Sequence, residues 1–260
     1  MTEAAPEVGD APTVAQDQSE VALTGGRLTL GVVRVGDTVR RPPSQQSGFV
    51  ARLLLHLETL GVDWAPRYLG TDERGRDTLT YLPGMVPQKW GLFSDQQIAD
   101  AGRLLRAFHD ATRGSTITAG APVVCHNDFG PNNAVFVHER AVGMIDFDMA
   151  APGEALDDLG YTAWAWCISA KAQRPPVDLQ AHQVRLLADS YGGLDGRRRV
   201  SIVDAVLERQ ERNARFWQGV LNNGEPTATS IERILPLIAW SREEARFVQA
   251  NRRVFEIALL

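Results

Sequence analysis

VVCHNDFGPNNAVFVHERAVGMIDFD, residues 123–148, decides how this chain is read. Within it, residues 134–137 and 142–145 are short β-prone runs flanking a polar turn of His138, Glu139, Arg140 and Ala141. Paired antiparallel about the Glu139–Arg140 midpoint, they set Asn133 opposite Asp146, and opposed strand positions bring Cβ atoms within about 5 Å. An amide oxygen and a carboxylate then converge at the open end of the hairpin, a hard-oxygen donor set that Mg²⁺ takes together with phosphate and water. Asp128 stands in the preceding loop, opened by His126 and turned by Gly130-Pro131, where its carboxylate can face a hydroxyl beside the metal. In extended backbone Asp148 shares a face with Asp146 and either adds a carboxylate to that site or finishes the turn. The competing structural account is that Asp128 and Asn133 only cap turns, as both residue types often do.

The spacing His126-x-Asp128-x-x-x-x-Asn133, followed by Asp146, resembles the catalytic loop and metal-binding segment of the aminoglycoside phosphotransferase and choline kinase family, small-molecule relatives of the protein kinases. The resemblance implies an α+β, protein-kinase-like fold of two lobes. A small antiparallel sheet with one helix would occupy residues 21–84, and a larger, mostly helical lobe residues 85–260. It also implies transfer of the γ-phosphoryl group of ATP, with GTP as the alternative, to a hydroxyl of a small molecule. In that scheme Mg²⁺ sits on Asn133 and Asp146, and Asp128 orients the acceptor. A carboxylate with an ordinary pKa near 4 is a weak base toward an alcohol, so positioning is its larger contribution.

Outward from the loop, the matches are of pattern. Residues 28–41 read as two strands joined at Gly36-Asp37, preceded by Gly25 and Gly26, whose backbone N–H groups suit a phosphate-covering loop. In the family the second strand carries a phosphate-gripping Lys; here Arg41 is the best candidate, with Arg40 second. The family's partner Glu, early in the following helix, is missing: that helix, residues 48–60, begins Phe49, Val50, Ala51, and its one acid, Glu58, comes late. Residues 67–70 and 78–82 read as the last strands of the small lobe. Tyr81 and Leu82, before Pro83-Gly84, match the family's hinge, whose backbone meets the adenine. Asp158, in Asp158-Leu159-Gly160, loosely matches the Asp that braces the catalytic loop.

Composition narrows the classes. Residues 1–20 carry five acids and no Lys or Arg, which reads as a disordered acidic tail. Removing those five from the 32 acids leaves 27, equal to the 27 Lys and Arg, so the body lacks the basic surplus of a nucleic-acid binder. From residue 150 onward acids and bases again balance, which argues against a polycationic antibiotic as acceptor. No apolar run is long enough for a membrane span, and Cys125 and Cys167 form neither a disulfide framework nor a metal spacing, so a cytoplasmic enzyme is expected.

The capping box Ser94-Asp95-Gln96-Gln97 opens a helix running to about Thr112, near whose end His109 reads as a packing or capping residue. The last third is helical by period, over residues 158–170, 178–191, 200–221 and 231–260, with a bend expected at Pro236. Three other readings stay open: a nucleotide-binding pseudokinase, suggested by the missing Glu; a metallohydrolase using His126, Asp128, Asp146 and Asp148; and a protein kinase, disfavoured because no Ala-Pro-Glu segment follows Asp146.

Overall fold

A computed structural model of the protein describes residues 19–23, 31–87, 91–223 and 231–260. Gly25, Gly26 and residues 1–18 of the acidic stretch lie outside the described residues. Five short strands come first: β1 (Val21–Ala22), β2 (Val33–Val35), β3 (Thr38–Arg41), β4 (Tyr68–Thr71) and β5 (Asp77–Thr80). They form one antiparallel sheet in the order β1-β2-β3-β5-β4. The β2–β3 turn falls at Gly36-Asp37 as its sequence dictates, with Gly36 at φ +56°. Helix α1 (Ser47–Thr59) buries Val50, Leu53, Leu54 and Leu57 in the common core.

The chain leaves the sheet through Tyr81 to Gly84 and enters α2 (Asp95–Thr112), whose capping box forms in both halves: Gln97 N–H donates to Ser94 Oγ, and Ser94 N–H to Gln97 Oε1. Strand β6 (Val123–Cys125) delivers the loop that carries His126 and Asp128. The hairpin β7 (Ala134–Val137) and β8 (Arg140–Met144) follows, and β9 (Ala151–Gly153) returns to pair with β6, a two-stranded sheet the sequence pattern did not suggest. Helices α3 (Ala155–Cys167), α4 (Val177–Tyr191), α5 (Gly196–Asn223), α6 (Ile231–Ala250) and α7 (Arg252–Leu259) complete the chain. From Asp158 to Cys167 every residue of α3 is buried, which explains why its sequence is apolar nearly all round.

Three sequence expectations are corrected. Helix α3 begins at Ala155, one turn earlier than residue 158. The single helix expected over residues 231–260 is divided: α6 runs on through Pro236, and the break falls at Asn251, whose side chain donates to the Phe247 carbonyl at 2.9 Å. The hairpin turn is tighter than its four polar residues suggested. His138 and Glu139 both take left-handed backbone, at φ +47° and +61°, and a bulge at Val142 absorbs the difference. Tertiary bonds hold that turn: Arg140 forks onto Asp100 of α2 at 2.6 and 2.7 Å, and Gln97 Nε2 donates to the Glu139 carbonyl at 3.1 Å. Asn133 therefore meets Ile145, whose N–H donates to its carbonyl at 3.0 Å, and Asp146 falls one residue beyond the pairing.

Candidate active site

The loop after β6 is held by a buried carboxylate from the next helix. Asp158 accepts from the His126 N–H at 2.6 Å and the Asn127 N–H at 2.7 Å, and from His109 Nε2 at 3.1 Å, while His109 Nδ1 meets the Tyr191 hydroxyl at 2.9 Å. Burial alone would raise the Asp158 carboxyl, but the hydrogen bond and charge of His109 and the backbone donors outweigh it and hold the group below the usual carboxylate range. Asn127 sits at φ +64°, an uncommon conformation for a side-chain-bearing residue, fixed there by Asp158 on its N–H and by Arg209 Nη2 on its carbonyl at 2.6 Å. Asp158 thus holds the backbone of the loop at two successive N–H groups. His109 serves the same brace.

His126 is buried, with Nε2 3.0 Å from the Ile145 carbonyl and Nδ1 accepting from the Asp128 N–H at 3.3 Å. One tautomer, protonated at Nε2, satisfies both contacts and leaves no ring lone pair for a metal, which counts against the metallohydrolase reading. Asp128 is half-buried. Its Oδ2 accepts from Asn133 Nδ2 at 2.9 Å and its Oδ1 from the Tyr161 hydroxyl. The same Asn133 amide nitrogen donates to the Asp128 carbonyl at 2.7 Å, and the amide oxygen accepts from Asn132 Nδ2 at 3.0 Å.

Asp146 follows the hairpin in left-handed backbone at φ +63°. Water reaches its carboxylate, yet protein crowds it at longer range; that crowding, then the charge of Asp148, push its carboxyl up, against the opposing pull of His126 and Arg41. Asp128 adds a further negative charge to the group. The Asp148 and Asp128 charges that raise the Asp146 carboxyl are of the sign a divalent cation would offset, and Asp146 with the Asn133 amide oxygen is the donor chemistry that Mg²⁺ takes.

Arg41 is where the structure departs from sequence reasoning. It is 7% exposed, with Nε 3.6 Å from Asp77 on the adjacent strand and Nη1 donating to Asp148 across the molecule. Asp77 is Arg41's register partner in the β3–β5 ladder and accepts from Ser47 Oγ, at the start of α1, at 2.5 Å. The acid beside Arg41 therefore comes from β5 and not from the early turns of α1. Through its bond to Arg41, Asp148 ties the sheet to the loop. Tyr81 lies under the Arg34 guanidinium, 3.8 Å from ring centroid to carbon, and its N–H donates to the Asp37 carbonyl at 2.8 Å. Leu82 and Gly84 approach the β7–β8 hairpin, and a Cβ at Gly84 would stand 2.5 Å from Val135. The connector therefore lies against the hairpin whose end carries Asp146.

Sequence reasoning missed Tyr161, Arg209, Asp77 and Ser47. Tyr161 was within reach, three residues after Asp158 and hence on the same helix face. The others come to the site from strand and helix pairings that no local pattern encodes.

Residues 113–201 match the model of the phosphotransferase enzyme family, a span that holds the loop, the hairpin, Asp146 and Asp158. The trifolitoxin immunity protein of Rhizobium leguminosarum bv. trifolii is 33% identical over 264 residues, covering 92% of this chain and 98% of that one. Among solved structures, a choline/ethanolamine kinase family protein from Mesorhizobium loti superposes with a TM-score of 0.58 at 18% identity, covering 91% of this chain and 92% of that one. The amicoumacin kinase hAmiN, in complex with AMP-PNP, Ca²⁺ and amicoumacin, superposes with a TM-score of 0.60 at 10% identity, covering 90% and 89%. These likenesses establish the protein-kinase-like fold, and with the relative at 33% identity they place the chain: it belongs to the phosphotransferase enzyme family.

Proposed function

We propose that the protein transfers the γ-phosphoryl group of a nucleoside triphosphate, ATP first, to a hydroxyl of a small molecule. The observation that carries this is the convergence of Asp128, Asn133 and Asp146 at one end of a hairpin, with the Arg41–Asp148 pair closing the other side. Asp128 orients the acceptor hydroxyl toward the γ-phosphorus and takes its proton late in the transfer. Asn133 and Asp146 would hold Mg²⁺, which would supply positive charge to offset that of the phosphates. Arg41 is the cation for the phosphates, kept in place by Asp77; that pairing supports an active enzyme over a pseudokinase. Gly25, Gly26, Tyr81 and Leu82 complete the nucleotide side by resemblance. The relative's name assigns it immunity to trifolitoxin, so a toxin bearing a free hydroxyl is the first acceptor class to try.

The test is phosphorylation of a panel of hydroxyl compounds, read as Mg²⁺-dependent ADP release. Asp128→Ala should lose turnover by about a thousandfold or more while keeping nucleotide affinity within a factor of about two, since base and positioning contributions belong to the transfer and not to nucleotide binding. Turnover in Asp128→Ala near the wild-type rate would remove Asp128 from the chemistry.

A further inference from the structure

Asp128 already receives a hydroxyl. The donor is Tyr161, 4% exposed on α3, whose Oη donates to Asp128 Oδ1 while Asn133 occupies Oδ2. Its ring is fixed on both sides. The Arg209 guanidinium of α5 lies 4.5 Å from the ring centroid, and Trp164 stands edge-on at 6.3 Å. Arg209 also donates to the Asn127 carbonyl at 2.6 Å, so ring and loop share one clamp. Burial, and next the Asp128 carboxylate, push the phenol well above its ordinary pKa, so it stays a donor throughout the working range.

An acceptor hydroxyl must donate to this same carboxylate to be aimed at the γ-phosphorus. A water molecule held there would do likewise, and the nucleotide would be wasted. We propose that Tyr161 is a place-holder for the acceptor hydroxyl, occupying Asp128 Oδ1 until an acceptor displaces or outflanks it, and so withholding that oxygen from water. The reaction it suppresses is hydrolysis: a water oxygen bonds to the γ-phosphorus, the bond from that phosphorus to the bridging oxygen breaks, the nucleoside diphosphate leaves, and the water proton passes to Asp128. Arg209 acts through Tyr161 as a positioning residue.

The inference rests on the phosphotransferase reading but needs no known acceptor. Phosphate release from Mg-ATP is measured on the purified full chain without any acceptor. Tyr161→Phe keeps the ring and its Arg209 contact and removes only the hydroxyl; release should rise about tenfold, the factor a hydrogen bond to a charged group is worth. The gain should vanish in Tyr161→Phe/Asp128→Asn. Arg209→Lys, which keeps a cationic donor for the Asn127 carbonyl while withdrawing the planar guanidinium from the ring, should raise release by a smaller factor, and it decides the matter if Tyr161→Phe fails to fold. A purely structural role would lower the rate and never raise it. Release at or below the wild-type rate in these variants, with a nucleotide-induced melting shift retained, overturns the place-holder and leaves the phosphotransferase standing. No nucleotide shift in the wild type overturns both.

Discussion

Arg41 joins two separate parts of the chain beside the site. A lysine would present one ammonium; the planar guanidinium spans two carboxylates on different parts of the chain, Asp77 through Nε and Asp148 through Nη1. Both Arg41 and Asp77 are almost fully buried, so the pair has given up its hydration and depends on partners. Arg41→Met should leave Asp77 with Ser47 as its remaining named donor and destabilise the fold by about 3 kcal/mol, the lower end for breaking a buried ion pair. Asp77→Asn in the same background should return part of that loss. Urea denaturation of the single and double variants measures the coupling; additive effects would show that the 3.6 Å contact carries no energy. Arg41 itself was legible from the period of a strand, because alternate side chains share a face. Its partner was not, because the acid was sought along the helix and came across the sheet.

At the scale of elements, α3 organises the site, and its contacts with α5 and with the loop set the tolerances. Gly160 lies where an added Cβ would come within 2.5 to 2.7 Å of Ala205 on α5, closer than any real contact, and the obstacle is backbone. Gly160→Ala should therefore push α5 away at a cost of about 1–3 kcal/mol, typical of overpacking, and should disturb Arg209 one turn further along. Asp158, two residues earlier, gives a pH test. Its folded carboxyl is held below the ordinary range, so its contribution is fully present above about pH 4, the unfolded value, and disappears as pH falls through the lower folded one. Asp158→Ala leaves two buried loop N–H groups without their acceptor and should cost about 2–5 kcal/mol at neutral pH. The difference from wild type in urea midpoint should stay constant from about pH 5 to 8 and shrink below about pH 4. A difference that grew toward acid would mean the carboxyl titrates above its ordinary range. The hairpin was legible as an element, but its register was not. Residues 138 and 139 take left-handed backbone because Asp100 and Gln97 of α2 hold the turn, a tertiary cause that overrides the turn preferences of His and Glu.

For the whole molecule, one core cluster runs from Leu53, Leu54 and Leu57 of α1 through Phe108 and Phe147 to Leu159 and Phe255, so sheet and helices bury a shared interior. Across the open side they are joined by charge. The Arg41–Asp148 contact places a cation of the sheet beside the carboxylates of the loop, and Asp146 lies next to it with its carboxyl pushed up by crowding and by Asp148. A Mg-nucleotide binding there would bring positive charge to the carboxylates and phosphates to Arg41, so it should favour the folded state strongly. At a hundredfold excess over Kd, mass action adds about 2.7 kcal/mol. For a chain of this size each kcal/mol moves the melting temperature by about 2–4 °C, giving an expected rise of about 5–10 °C with Mg-ATP. The rise should be lost with chelator and in Asp146→Ala, and kept in Asp128→Ala if, as proposed, that carboxylate serves the acceptor and not the nucleotide. Thermal melts of the three proteins, with ATP, GTP and ADP and with and without Mg²⁺, separate the cases. A shift that survives in Asp146→Ala would move the metal off the hairpin end, and one indifferent to Mg²⁺ would make the carboxylate cluster a site for something other than a metal-bound phosphate.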